Sequence, residues 1–153
     1  MATTLVTALL RPSGAWVAHV GDSRAYLWRR GELSRLTRDH SALEQFSRDH
    51  PELDRVTFEK SPLARILTRC LGGERDAAPE IRPLSLQSGD RLLLCCDGLS
   101  DMVPDSSIAE TLAAVSAPEE RCARLISAAN EAGGKDNVTA VVVNVTIDST
   151  RQP

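Results

Sequence analysis

The stretch "LLLCCDGLSD" (92–101) constrains this chain more than any other. Its apolar residues are consecutive, not alternating, which predicts a strand buried on both faces, inside a sheet covered on each side. The run then ends abruptly in Asp97, Gly98 and a second acid, Asp101. A fold that buries such a strand needs layers above and below it. The 153 residues, 42% of them hydrophobic, suffice for one domain with a real core and not for two.

Around that strand the pattern is β-rich first and helical later. "TTLVTALL" (3–10) and "AWVAHV" (15–20), joined by "RPSG", predict a hairpin. "AYLWRRGELSRLT" (25–37) predicts another turning at Gly31, so the first third reads as a β-meander. Residues 38–79 are charged, carry weak helical patches and no long strand, and read as an excursion from the sheet. Strands resume at 81–86 and 90–97. A helix after Pro104-Asp105 is expected to set Ile108, Leu112 and Val115 on one face. In a second helix, Ser116 and Glu119 fit a capping box with Pro118 in the first turn, and Cys122, Leu125, Ile126 and Ala129 follow helical spacing. Gly133-Gly134 end it, and "NVTAVVVNVTI" (137–147) is the last strand. The tail 148–153 reads as disordered.

Acids recur at strand ends beside glycine. Asp22 follows "WVAHV" through Gly21, Asp97 and Asp101 follow "LLLCC", and Asp136 precedes the last strand after Gly133-Gly134-Lys135. Glycine lets the backbone approach a ligand closely. If these ends share one side of the sheet, four carboxylates converge, and they repel unless a cation neutralises them. Hard divalent ions with oxygen ligands, Mn²⁺ or Mg²⁺, suit such a cluster. Taken singly, Asp22 and Asp136 read as turn residues. For Asp97–Asp101, a helix N-cap with a first-turn acid is a fair competitor. Only convergence separates the readings, and spacing does not establish it.

Composition removes other classes. The net charge of −3 leaves no basic footprint for nucleic acid and no patch for an anionic membrane. No apolar run is long enough to span a bilayer, and the N-terminus has no basic region of a signal peptide. Cys70, Cys95, Cys96 and Cys122 match neither a zinc site nor a disulfide framework, which points to reduced thiols and a cytoplasmic protein. His19, His40 and His50 are not paired at ligand spacing.

Four stretches, in order, resemble the metal-dependent protein phosphatases (PPM, the type 2C serine/threonine phosphatases). They are "VAHVGDSRAYLWRRGELSRLTRDHS" (17–41), "ILTRCLGG" (66–73), "GDRLLLCCDGLSDMV" (89–103, with Cys96 where serine is usual) and "GGKDNVTAVVV" (133–143). The resemblance implies an α+β fold: a β-sandwich of two antiparallel sheets flanked by helices, with a metal centre at one end. It implies that Asp97 and Asp136 hold two core Mn²⁺ or Mg²⁺ ions, and that Asp22 and Asp101 serve a third, weaker position. A metal-activated water would attack phosphoserine or phosphothreonine in a substrate protein directly, opposite a serine/threonine kinase. Ser23 and Arg24 are expected to fix the turn beside Asp22, and 38–79 to match the family's flap.

The family's D-G-x-G-G segment, its early acid and its phosphate-binding arginine have no counterpart in these residues. Residues 1–147 therefore resemble the C-terminal part of such a domain, its N-terminal strands and helices missing. That leaves open sheet edges, an uncovered apolar face, and an alternative reading as a non-catalytic phosphatase remnant or interaction module.

Overall fold

The computed structural model describes residues 1–73 and 77–147. The expected tail at 148–153 and residues 74–76 of the excursion lie outside the described residues. Two antiparallel sheets stack. One has the order β1-β2-β5, from Leu5–Arg11, Gly14–Val20 and Glu80–Leu84; the other has the order β4-β3-β6-β7, from Glu32–Arg35, Arg24–Arg29, Arg91–Cys95 and Ala140–Asn144. The two N-terminal hairpins are both present, but they do not form one meander. The chain crosses from the first sheet to the second at Gly21–Ser23, so β2 and β3 lie in different layers. The β3–β4 turn places Arg30 (φ 52°) and Gly31 (φ 92°) both in the left-handed region, the geometry of a type I′ hairpin, whose twist matches that of the strands.

Strand β6 is the centre of the molecule, as its unbroken apolar run requires. Leu92 faces the first sheet and packs in a cluster with Val17, Ala25, Leu27 and Leu36. Leu93 and Cys95 face the other way, into a cluster with Tyr26, Leu99, Ile108, Leu112, Leu125 and Ala129. That second layer is built by α4 (Asp105–Ala113) and α5 (Pro118–Glu131). The Tyr26 hydroxyl donates to Asp105 Oδ1 at 3.2 Å and fixes the start of α4, and burial pushes its pKa up to about 12. The guanidinium of buried Arg121 donates to the Ala114 carbonyl and to Asn144 Oδ1, tying the α4–α5 loop to β7.

Three expectations are corrected. Helix α5 begins at Pro118 with Ala117 as its N-cap, so Ser116 and Glu119 form no capping box, and the Ser116 hydroxyl is buried without a partner among the described residues. Proline restricts the residue before it to extended backbone, and Ala117 (φ −66°, ψ 153°) takes the cap position for that reason. Helix α4 stops at Ala113, so Val115 is fully exposed rather than on the buried face. The last strand is only Ala140–Asn144, because Asn137–Thr139 run past the end of β6.

The excursion contains α1 (Ala42–Asp49), α2 (Arg55–Glu59) and a short 3₁₀ turn at Pro62–Arg65. Isolated bridges Ser41↔Leu67 and Thr3↔Leu71 tie it back to the body. Leu5, Leu9 and Ile81 of the first sheet are about half exposed, at 47%, 48% and 62%, so this sheet presents apolar surface outward. No helix among the described residues is long and apolar enough to cross a membrane.

Candidate metal centre

The acids gather where the chain changes layer or changes from strand to helix. Strand β6 ends at Cys95, Cys96 remains extended (φ −82°, ψ 173°), and Asp97 opens the short α3 (Asp97–Ser100). The Cys96 carbonyl accepts from the Leu99 and Ser100 amides, which turns the chain into helix directly after the strand. Gly98 then lies against the segment that precedes β7: a Cβ there would meet Asn137 O at 2.2 Å. That contact places the Asp136–Asn137 backbone against Gly98, the residue that follows Asp97. The two carboxylates are held alike. Asp97 Oδ1 accepts the Gly98 amide at 2.9 Å, and Asp136 Oδ1 accepts the Asn137 amide at 2.7 Å. Each has one oxygen fixed by its successor.

Asp22 sits on the crossing between the sheets. Its carboxyl is held above the usual carboxylate range, first by burial, then by the negative charge of Asp97, with Asp39 and Asp101 adding to it. The structure therefore brings Asp22, Asp97 and Asp101 within electrostatic reach, with Asp136 alongside Gly98. It does not close them into a finished ligand sphere. Among the described residues, the group of possible metal ligands whose atoms all lie within 4.8 Å of one another is His19, His40 and Glu80, not the aspartates. Asp101 is also engaged by Arg65 of the excursion, whose Nη1 lies 2.6 Å from Asp101 Oδ2.

The donor set fits a hard divalent cation. It is all carboxylate; burial raises Asp22 most, and the repulsion from Asp97 that adds to it is what a cation relieves. Ser23 and Arg24 do hold the turn. The Ser23 hydroxyl meets Thr4 Oγ1 at 2.9 Å, and Arg24 pairs with Asp39 at 2.7 Å.

The histidine pair is what the sequence did not reveal. His19 and His40 stack with ring centroids 4.6 Å apart. His19 Nε2 donates to the Arg38 carbonyl at 2.7 Å, and His40 Nδ1 accepts the Gly21 amide at 3.2 Å. The Gly21 carbonyl in turn accepts the His40 amide at 2.9 Å, so His40 clamps the residue before Asp22 from both sides. Because Nδ1 is an acceptor, the proton of neutral His40 is on Nε2, 3.6 Å from Glu80. Both His40 nitrogens are thus engaged or protonated, Nδ1 by the Gly21 amide and Nε2 by its own proton. His40 is a clamp on the turn, with His19 stacked on it and Glu80 at its far nitrogen. Only the pairing of "VAHVGD" with "RDHS" in space could have shown it, since the histidines are far apart in sequence.

The chain is similar to known proteins in sequence and in fold. Residues 1–135 match the family model for protein phosphatase 2C. The chain is 38% identical over 143 residues to the serine/threonine phosphatase stp of Listeria monocytogenes, which covers 94% of this chain and 56% of that protein. A structure of the S. agalactiae serine/threonine phosphatase superposes with a TM-score of 0.87 at 32% identity, covering 95% of this chain and 60% of the other. The catalytic domain of the serine/threonine phosphatase PstP, solved with two manganese ions, superposes at 0.78 with 39% identity, covering 93% and 58%. The chain thus spans little more than half the length of these relatives.

Proposed function

This chain belongs to the protein phosphatase 2C family, and we propose that residues 1–147 supply the Asp22, Asp97, Asp101 and Asp136 carboxylates of a metal-dependent protein serine/threonine phosphatase. The observation that carries the reading is that Asp97 and Asp101 lie within electrostatic reach of Asp22, while the Asp136–Asn137 backbone packs against Gly98. Asp97 and Asp136 would hold the core Mn²⁺ or Mg²⁺ ions, and Asp22 and Asp101 a further one. Bound there, such ions supply the charge that activates a water and balances the phosphoryl oxygens during in-line displacement.

The chain's own residues do the positioning. The Gly98 and Asn137 amides each fix one oxygen of an adjacent carboxylate, which leaves the second oxygen free to ligate. The His40 clamp and the Arg24–Asp39 pair fix the Asp22 turn. Arg65 reaches the site from the excursion and holds Asp101 until a cation competes for it. The substrates would be phosphoserine and phosphothreonine proteins, with a serine/threonine kinase as the opposing activity. The four free cysteines support a cytoplasmic location.

The test is Mn²⁺-dependent hydrolysis of p-nitrophenyl phosphate, with Asp97→Ala and Asp136→Ala as controls and Mn²⁺ binding measured alongside. Hydrolysis that needs Mn²⁺ and disappears in both variants supports a phosphatase. Turnover that survives both substitutions sinks the assignment of these acids. Mn²⁺ binding that both variants lose, without hydrolysis in the parent, favours a metal-binding remnant. The open spacing of the aspartates keeps that second reading in play.

A further inference from the structure

At Cys96 the β6–β7 ladder would otherwise break. The register runs from Arg91↔Asn144 to Cys95↔Ala140, so the next facing pair is Cys96 and Thr139. Half of that rung is ordinary: the Cys96 amide donates to the Thr139 carbonyl at 3.3 Å. The other half needs the Cys96 carbonyl, but that oxygen already accepts the Leu99 and Ser100 amides that open α3. The Thr139 amide donates instead to Cys96 Sγ at 3.2 Å, and the thiol S–H donates to the Asn137 carbonyl at 3.2 Å. This is the same carbonyl that lies against Gly98. Neighbouring Cys95 is used quite differently, as an apolar core residue whose thiol is pushed up to about 12 by burial.

We propose that Cys96 is a positioning residue of the metal centre, its thiol standing in for a backbone carbonyl as the last rung between the limb carrying Asp97 and the limb carrying Asp136. The inference rests on the reading of those two acids as ligands. It says that a side chain both accepting and donating is needed here, because one bond satisfies Thr139 and the other anchors Asn137. Serine offers both functions on a shorter arm; alanine offers neither.

The experiment measures Mn²⁺ binding by electron paramagnetic resonance and exchange of the Thr139 amide by NMR, for the parent chain, Cys96→Ala and Cys96→Ser. Cys96→Val, which keeps bulk and loses both hydrogen bonds, replaces the alanine variant if that one unfolds. The alanine variant is expected to bind Mn²⁺ roughly tenfold more weakly, the scale of losing a group that orients a ligand, and to exchange Thr139 faster. The serine variant is expected to stay close to the parent in both. Parent-like Mn²⁺ binding in the alanine variant overturns the proposal, and so does a serine variant as weak as alanine. If the parent itself binds no Mn²⁺, the ligand reading fails; the Thr139 exchange then decides the brace separately, and equal rates in all variants overturn it.

Discussion

Replacing Gly98 with alanine isolates the contact that packs the Asp136–Asn137 backbone against the residue after Asp97. The new Cβ would lie 2.2 Å from Asn137 O, 3.1 Å from Asn137 C and 3.6 Å from Asp136 C. All three are backbone atoms, so no rotamer change relieves the overlap. Ordinary contact begins near 3.4 Å, and the 136–137 segment must therefore retreat by about 1.2 Å. Alanine is otherwise welcome here, since Gly98 is helical and lacks a positive φ. Propensity alone would favour it by about 1 kcal/mol. Overpacking costs roughly 1–3 kcal/mol, and rigid backbone on the far side puts this case at the upper end. A net loss of about 2 kcal/mol is expected in urea unfolding followed by circular dichroism. The retreat also separates the two carboxylates by more than the roughly 0.5 Å that a precise site tolerates. Mn²⁺ affinity should therefore fall by about tenfold or more. A Gly98→Ala chain as stable as the parent, with unchanged Mn²⁺ binding, would refute the claim that this close approach sets the site.

Two further predictions concern pH. His40 is held below its ordinary value by burial, then by His19 and Arg69, against the pull of Glu80. The unfolded chain thus takes up this proton first, and stability should fall as pH drops from 6.5 towards the lowered folded value. His40→Asn, which can still accept the Gly21 amide, should flatten that slope in a series of urea midpoints; an unchanged slope would assign it elsewhere. Asp90, nearly fully buried, accepts Arg29 Nε at 2.8 Å and the Gln87 amide at 2.7 Å, and the Arg29 hydrogen bond holds its carboxyl below the usual range. Its contribution is present above pH 3.8 and is lost as pH falls through the depressed value. Asp90→Asn should cost on the order of 1–3 kcal/mol at neutral pH and remove that acid limb, both read by thermal unfolding across pH.

Much of the architecture was legible because β6 declares its environment. Leu92 to Cys95 are apolar on both faces, and one face meets the other sheet while the other meets α4 and α5. The ends of elements were less legible. The capping box at Ser116 failed because the constraint of Pro118 on Ala117 outweighs a favourable pairing of side chains. Val115 was misplaced because helical spacing does not announce where a helix stops. The supposed meander failed because strand patterns do not say which sheet receives the second hairpin.

For the site, the sequence alone determined the residue types: four aspartates at strand ends beside glycine, a cysteine before Asp97, and the chemistry of hard cations. Those are local properties, set by what each residue can accept, donate or bury. Only the tertiary structure decided which groups meet. It set Asn137 against Gly98, turned the Cys96 thiol into a ladder rung, stacked His40 on His19 under the Asp22 turn, and brought Arg65 to Asp101. Each of these contacts joins segments far apart in the chain. Their distances follow from how two sheets and a helical layer pack as solids, which no local pattern records.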